Sequence, residues 1–231
     1  MFSSFRSSAV CASFLFLFFF HACLVTAQEA GGPSVVRLPE PQQDGAVSLE
    51  AALAQRRSVR SYKDKTLSLA QVARLLWAAQ GQTHPSGFRT APSAGATYPL
   101  ELYVAAGDVE GLEPGVYRYR PKDHTLILLR AGDVRRAVAR ASFGQDWAAD
   151  AAALFIIAAD FKRTTGRYGD RGEGYVFMEA GCASQNIALE AVALGLGSVI
   201  VGAFDDAGVK AAAGLPEKER PLLYMPVGVP D

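Results

Sequence analysis

Between Tyr175 and Leu194 runs the longest helical pattern in the chain, and Gly195 stands where such a helix stops. Upstream, Ala153 to Ala159 is an apolar run of strand length; downstream, Ser198 to Val201 and Leu222 to Val227 read as further strands. A long helix set between buried strands needs a sheet to lie on, and the rest of the sequence supplies one. Leu100 to Ala105 reads as a strand, while Val116 to Tyr119 and Thr125 to Leu129 form a β-hairpin across Pro121-Lys122-Asp123-His124. Ser48 to Arg57 reads as a short helix. Ser68-Leu69-Ala70-Gln71 is a capping-box start for a second, in which Leu69, Val72, Ala73, Leu76 and Ala79 recur at helical spacing until Gly81. Asp133 is placed to cap a helix to Ala141, and Asp205 or Asp206 one that ends at Gly214. A hairpin inside such a mixture favours an α+β sheet over a regular βαβ series.

Composition separates two objects. The chain has 231 residues, 50% of them hydrophobic, with 23 basic and 23 acidic side chains. Balanced charge removes the electrostatic footprint of a general nucleic-acid binder, and the apolar fraction argues against disorder. Residues 1–27 carry one charge, Arg6, before an apolar stretch from Ala9 to Val25 and the small residues Val25-Thr26-Ala27. That reads as an export signal cut after Ala27, with the product in a periplasm. A retained anchor is the alternative, since about 20 apolar residues span a bilayer, and a lipid on Cys23 is disfavoured by Phe20 and His21. No twin-arginine pair precedes the apolar run. Gln28 to Ala46 is rich in Gly, Pro and Gln without periodicity, so residues 28–47 are expected to be a flexible linker to a domain at 48–231. Without residues 1–27 the net charge is −1, and Cys182 alone remains, so no internal disulfide forms. Cys182 with His84 and His124 makes no zinc site.

Four clusters offer chemistry, each with a bland counterpart. Arg56-Arg57-Ser58-Val59-Arg60 gathers three guanidinium groups and a hydroxyl where a helix gives way to extended chain, which suits a phosphate; equally, cations there satisfy a helix C-terminus. Ala91-Pro92-Ser93-Ala94-Gly95-Ala96-Thr97-Tyr98-Pro99 is a small-residue stretch that lets a flat ligand approach the backbone, or a rigid surface turn. The helix bearing Met178, Glu179, Gly181, Cys182, Gln185 and Asn186 holds the chain's single asparagine, most simply one half of a buried polar pair. Val199 to Asp206 is a strand end opening onto a helix, where free N–H groups face a pocket.

The order and spacing of these segments resemble the nitroreductase superfamily. They run from Arg56-Arg57-Ser58-Val59-Arg60 through Pro92 to Glu101, Gly181 to Asn186 and Leu194 to Gly197, and end at Gly202 to Asp206. Its SagB-type (thiazole/oxazole oxidase-like) dehydrogenase branch is the nearest match, and Pro226 to Pro230 fits as well. The resemblance covers about residues 48 to 230. It implies an FMN-binding fold with a central, mostly antiparallel sheet flanked by helices, built as an intertwined homodimer with flavins at the subunit interface. Arg56, Arg57, Ser58 and Arg60 then correspond to phosphate and ribityl contacts. Pro92, Ser93, Ala94 and Ala96 correspond to the segment that the other subunit lays on the ring, and Gly202 and Ala203 to the strand end facing flavin N5. The chain departs from the family pattern at Ala96, where many members carry Asn. It departs again after the last strand, where many place Arg or Lys and this sequence reads Asp231. Phosphate binding is therefore expected to rest on the arginine cluster, with weaker affinity.

The resemblance also implies an oxidoreductase that passes hydride from NAD(P)H through the flavin to a small nitro- or quinone-like acceptor. Such an enzyme needs no acid–base residue and no metal of its own. Oxidation of a heterocycle or peptide is the alternative, and a flavin carrier or non-catalytic dimer the alternative of another class. Substrate choice is expected in loops Gln82–Thr90 and Gly144–Asp150. Arg163, Arg167, Tyr168, Arg171 and Tyr175 are expected in a solvated loop, with a pocket mouth as the sharper reading.

Overall fold

A computed structural model describes Met1 and residues 34–231; the expected export signal lies outside these residues. Seven strands form one sheet: β1 (Val35–Arg37), β2 (Leu100–Ala106), β3 (Gly115–Arg120), β4 (Thr125–Ala131), β5 (Ala153–Ala159), β6 (Gly197–Ser198) and β7 (Arg220–Gly228). Their order is β1-β4-β3-β2-β5-β7-β6, and every neighbouring pair is antiparallel. The described residues also form six helices: α1 (Leu49–Gln55), α2 (Leu69–Gln80), α3 (Arg135–Arg140), α4 (Lys162–Tyr168), α5 (Arg171–Ala193) and α6 (Asp206–Ala213). The fold is the expected α+β arrangement of an antiparallel sheet flanked by helices.

Strand periodicity builds the layers, because alternate residues of a strand face opposite sides. Leu102 and Val104 on β2, with Phe155 and Ile157 on β5, join Val72, Leu76 and Ala79 of α2 and Val176, Ala183 and Ile187 of α5 in one core. Tyr103 and Ala105, with Leu154, Ile156 and Ala158, enter a second core with Val138 of α3 and Val209 of α6. The central strands are apolar on both faces for this reason.

Local signals set the helix boundaries. Ser68 accepts from the Gln71 amide and Gln71 returns a bond to the Ser68 amide, closing the capping box of α2. The Asp205 carboxylate caps α6, whose last turn ends at Gly214 in the left-handed region, φ +67°. Asp133 takes the Arg135 amide at 2.9 Å from one position before the helix entry at Val134.

Two expectations need correction. The linker read over 28–47 contains β1, which pairs with β4 in the register Val35↔Ile127 and Arg37↔Thr125, and Leu38 is buried behind it. Three residues carry no readable period, and an edge strand is held by backbone hydrogen bonds that any sequence offers. The solvated loop expected at Arg163 to Arg171 is instead α4 and the first turn of α5, joined at Gly169. Its buried contact is polar: Thr164 meets Thr97, their hydroxyls 2.8 Å apart.

Candidate functional site

The arginine cluster begins where α1 ends. Arg56 leaves helical geometry at φ −54°, ψ 125°, and the chain then runs extended beside the strand end, with the Val59 amide donating to the Ser198 carbonyl at 3.0 Å. Ser58 pairs with Ser198 in a parallel bridge. A cavity of about 120 Å³ opens there, lined by Arg56, Ser58 and Arg60 together with Gln185 and Ala188 of α5, the Ser198–Ile200 stretch and Met225. No carboxylate of the described residues lines it, so Arg56, Ser58 and Arg60 border a space that suits an anion. Arg57 is absent from this lining. It folds back on the helix, donating from Nη1 to the carbonyls of Ala54 at 2.9 Å and Arg56 at 2.8 Å, the capping role available to any cation at a helix C-terminus.

The strand end continues from this cavity. Val201 exchanges two backbone hydrogen bonds with Tyr224, which fixes the chain just before Gly202. Gly202 and Ala203 are exposed, and their amides have no acceptor among the described residues. A Cβ built on Gly202 would meet nothing within 4 Å, so the space above this backbone is open. The short 3₁₀ turn Asp146–Asp150 borders the same ground. Gln145 donates from Nε2 to the Ala203 carbonyl at 2.9 Å, and Arg60 lies 5.8 Å from the Trp147 ring centroid. Gln145 and Trp147 thus tie the strand end and the arginine cluster to one loop. Both fall in the Gly144–Asp150 loop where substrate choice is expected, although neither was named as a site residue; Trp147, one of two tryptophans, was the available signal. Exposed amides without acceptors, just beyond a cavity lined by two arginines that form no ion pair among the described residues, suit a flat, phosphate-bearing ligand.

Pro92, Ser93, Ala94 and Ala96 lie elsewhere; none of them lines that cavity. Their segment forms a 3₁₀ turn at Ala94–Ala96, with Gly95 at φ +58°, Ala96 at +54° and Tyr98 at +45°. Left-handed backbone costs a residue with a side chain about 1–2 kcal/mol, so something must hold this shape. The Tyr98 amide donates to Ser93 Oγ at 2.9 Å, and Thr97 Oγ1 donates to the Ala94 carbonyl at 3.0 Å. From α4, Arg163 reaches the Tyr98 carbonyl at 2.8 Å and Arg167 the Gly95 carbonyl at 3.1 Å. Beneath sits Glu179 of α5, 3% exposed; burial pushes its carboxyl up to about 6, against Ser93, Arg89 and Gln80, which favour the charged form. Asn186 has the bland role: its Nδ2 donates to the Ala78 carbonyl of α2 at 2.9 Å.

Comparison with known proteins places these parts in context. The model of the nitroreductase family matches residues 53–229. A Methanocaldococcus jannaschii protein that carries the nitroreductase name is 46% identical over 198 residues, which is 86% of this chain and 98% of that one. A crystal structure from Ralstonia eutropha, also named for a nitroreductase, superposes with a TM-score of 0.75 at 32% identity, covering 85% of this chain and 90% of that one. The trifolitoxin operon protein TfxC of Rhizobium leguminosarum bv. trifolii is 31% identical over 152 residues, 58% of this chain and 42% of that one.

Proposed function

The chain belongs to the nitroreductase family and is an FMN-dependent oxidoreductase, and we propose that it works between NAD(P)H and a small organic acceptor of the nitro or quinone type. FMN, when bound, supplies hydride transfer through N5. The observation that carries the reading is the cavity lined by Arg56, Ser58 and Arg60 with no carboxylate of the described residues, and the exposed, acceptor-free amides of Gly202 and Ala203 just beyond the Ser198–Ile200 stretch that lines it. In this reading Arg56 and Arg60 neutralise the phosphate and Ser58 donates to it, while Arg57 serves α1. The Gly202 and Ala203 amides present fixed partial positive charge to the ring edge. Such donors favour an electron-rich ring and need no reorganisation. Pro92, Ser93, Ala94 and Ala96 form a surface for the ring bound to a second subunit. That makes the active form a homodimer, in line with the exposed Leu49, Leu53, Phe177, Met178 and Ile200. No side chain is assigned a proton-transfer role.

The test is optical. The purified protein should be yellow, and anaerobic NADH or NADPH should bleach it, with colour returning on addition of a nitroaromatic or quinone. A yellow protein that neither NAD(P)H nor a reduced heterocycle bleaches is a carrier. One that remains colourless after incubation with FMN overturns the reading.

The likeness to TfxC favours one second reading, oxidation of a heterocycle or peptide as in the SagB-type branch. In that reading the substrate is the reductant, so bleaching by a reduced heterocycle on a peptide and not by NADH or NADPH, with colour restored by oxygen, would select it. We also propose that residues 1–27 direct export and are removed; a mature N-terminus at Gln28 by mass spectrometry is the expected result, and an intact Met1 would make the segment an anchor.

A further inference from the structure

The ladder between β2 and β3 stops short of their ends. Its last pair is Tyr103↔Arg118; beyond it Glu101 continues on β5 against Ala158, and Arg120 on β4 against Thr125. A cavity of about 370 Å³ opens where the strands part, with Arg89, Glu101, Arg118, Arg120, Lys122 and Ile127 in its lining. Four of the lining side chains are cations and one is a carboxylate. Glu101 is already shared: one oxygen takes Arg118 at 2.7 Å and the other takes Arg163 of α4. Arg118 reaches Glu219 as well, at 3.5 Å, and Arg120 holds Asp123 at 2.7 Å. Arg89 and Lys122 are left over, and neither forms an ion pair among the described residues. Arg89 is half-buried, its guanidinium 4.3 Å from the Tyr98 ring centroid, with one hydrogen bond among the described residues, to Gln80 Oε1 at 2.9 Å. Burial pushes its pKa below the ordinary value, while Glu101 and Glu179 support the charge from beyond ion-pair distance. A half-buried cation without a counter-charge is costly, and a ring face offsets only part of that cost.

We propose that the fork between β2 and β3 is a binding site for a small organic acid with two negative charges, a dicarboxylate or a phosphate monoester, held by half-buried Arg89 and exposed Lys122. Two cations without a counter-charge set the charge of the ligand. Arg118 and Arg120 add to the field but keep their own carboxylates, and Glu101, held by two arginines, repels the ligand less than a free carboxylate would. The volume suits a small molecule, since such sites run to about 300–1,000 Å³, and Pro121 and Ile127 give a carbon skeleton an apolar wall. This cavity shares no lining residue with the one at Arg56, Ser58 and Arg60, so the site stands independently of the flavin reading.

The experiment is calorimetric titration of the full chain at low ionic strength, with succinate and with inorganic phosphate as probes. A saturable site, one per chain, should appear for at least one of them, and none for neutral succinamide. Succinate alone would identify a dicarboxylate site, phosphate alone a phosphate-ester site, and both a site set by charge. The site should persist in Arg56→Ala with Arg60→Ala, which removes the other arginine-lined cavity as a place for the anion. Arg89→Met should weaken binding about tenfold or more, and Lys122→Glu about threefold or more. Lys122 lies exposed in the hairpin turn, so its variant decides the matter even where loss of Arg89 disturbs folding. Four results overturn the proposal: no saturable heat with either anion, equal binding of succinamide, loss of the site in Arg56→Ala with Arg60→Ala, or an affinity that Lys122→Glu leaves unchanged.

Discussion

Arginines that stand side by side in sequence have different work in the fold. Arg56 and Arg60 line a cavity without a carboxylate of the described residues, whereas Arg57 is spent on the last carbonyls of α1. Charge-assisted hydrogen bonds are each worth about 1.5–3 kcal/mol, so Arg56→Ala with Arg60→Ala should weaken FMN binding by about 100-fold or more, read by quenching of flavin fluorescence. Arg57→Ala should leave that affinity within about twofold and cost roughly 0.5–1 kcal/mol in a urea melt. Equal losses of affinity in the two experiments would return Arg57 to the site. Glu179 allows a prediction about the fold itself. Its folded pKa of about 6 stands above the ordinary 4.5, so the native state holds the proton more tightly than the unfolded chain. That contribution is full below the ordinary value and is lost as pH rises through about 6, leaving a deficit of about 2 kcal/mol at neutral pH. Glu179→Gln should therefore be more stable than the unmodified protein near pH 7.5 and lose that advantage near pH 4.5. Urea midpoints at the two pH values measure it; an advantage that does not change with pH would exclude titration of Glu179 as the cause.

At the level of elements, legibility followed the length over which a pattern could repeat. Capping box, spacing and stop of α2 all stood in the sequence, and the body of α5 and the apolar runs of β2 and β5 were as plain. β1 was not, because a three-residue edge strand declares itself only through a partner's backbone. α4 was missed because its inner contacts are hydroxyls and arginines, so no apolar stripe marks it. The site divided the same way: the chemistry of the arginine cluster was readable, but the diversion of Arg57 and the approach of Gln145 and Trp147 depend on tertiary placement. A test at this scale is Leu38→Ala. Leu38 is 3% exposed and follows β1 directly, so truncation should cost about 2–5 kcal/mol, a large fraction of a domain's stability. If residues 34–38 were the expected tether, the same change would move the urea midpoint hardly at all.

For the whole molecule, the cavity at Arg56, Ser58 and Arg60 measures about 120 Å³, whereas ligand pockets run to about 300–1,000 Å³. One chain thus offers a floor and needs walls. It also carries Pro92–Tyr98, a strained and partly exposed segment aimed at nothing in its own cavity, and apolar side chains on α1 and α5 that water would otherwise cover. A second copy meets all three needs at once if each segment closes the other subunit's site. Light scattering should then find a dimer at micromolar concentration, and Met178→Glu should both dissociate it and lower FMN affinity. Complementation distinguishes this from two self-contained sites. One variant carries Arg56→Ala with Arg60→Ala, the other Ala96→Trp, and each alone should bind FMN poorly. In a mixed dimer with shared sites, one site combines both faults and the other has none, so close to one tight site per heterodimer should return. With self-contained sites every site keeps one fault, and mixing should restore nothing.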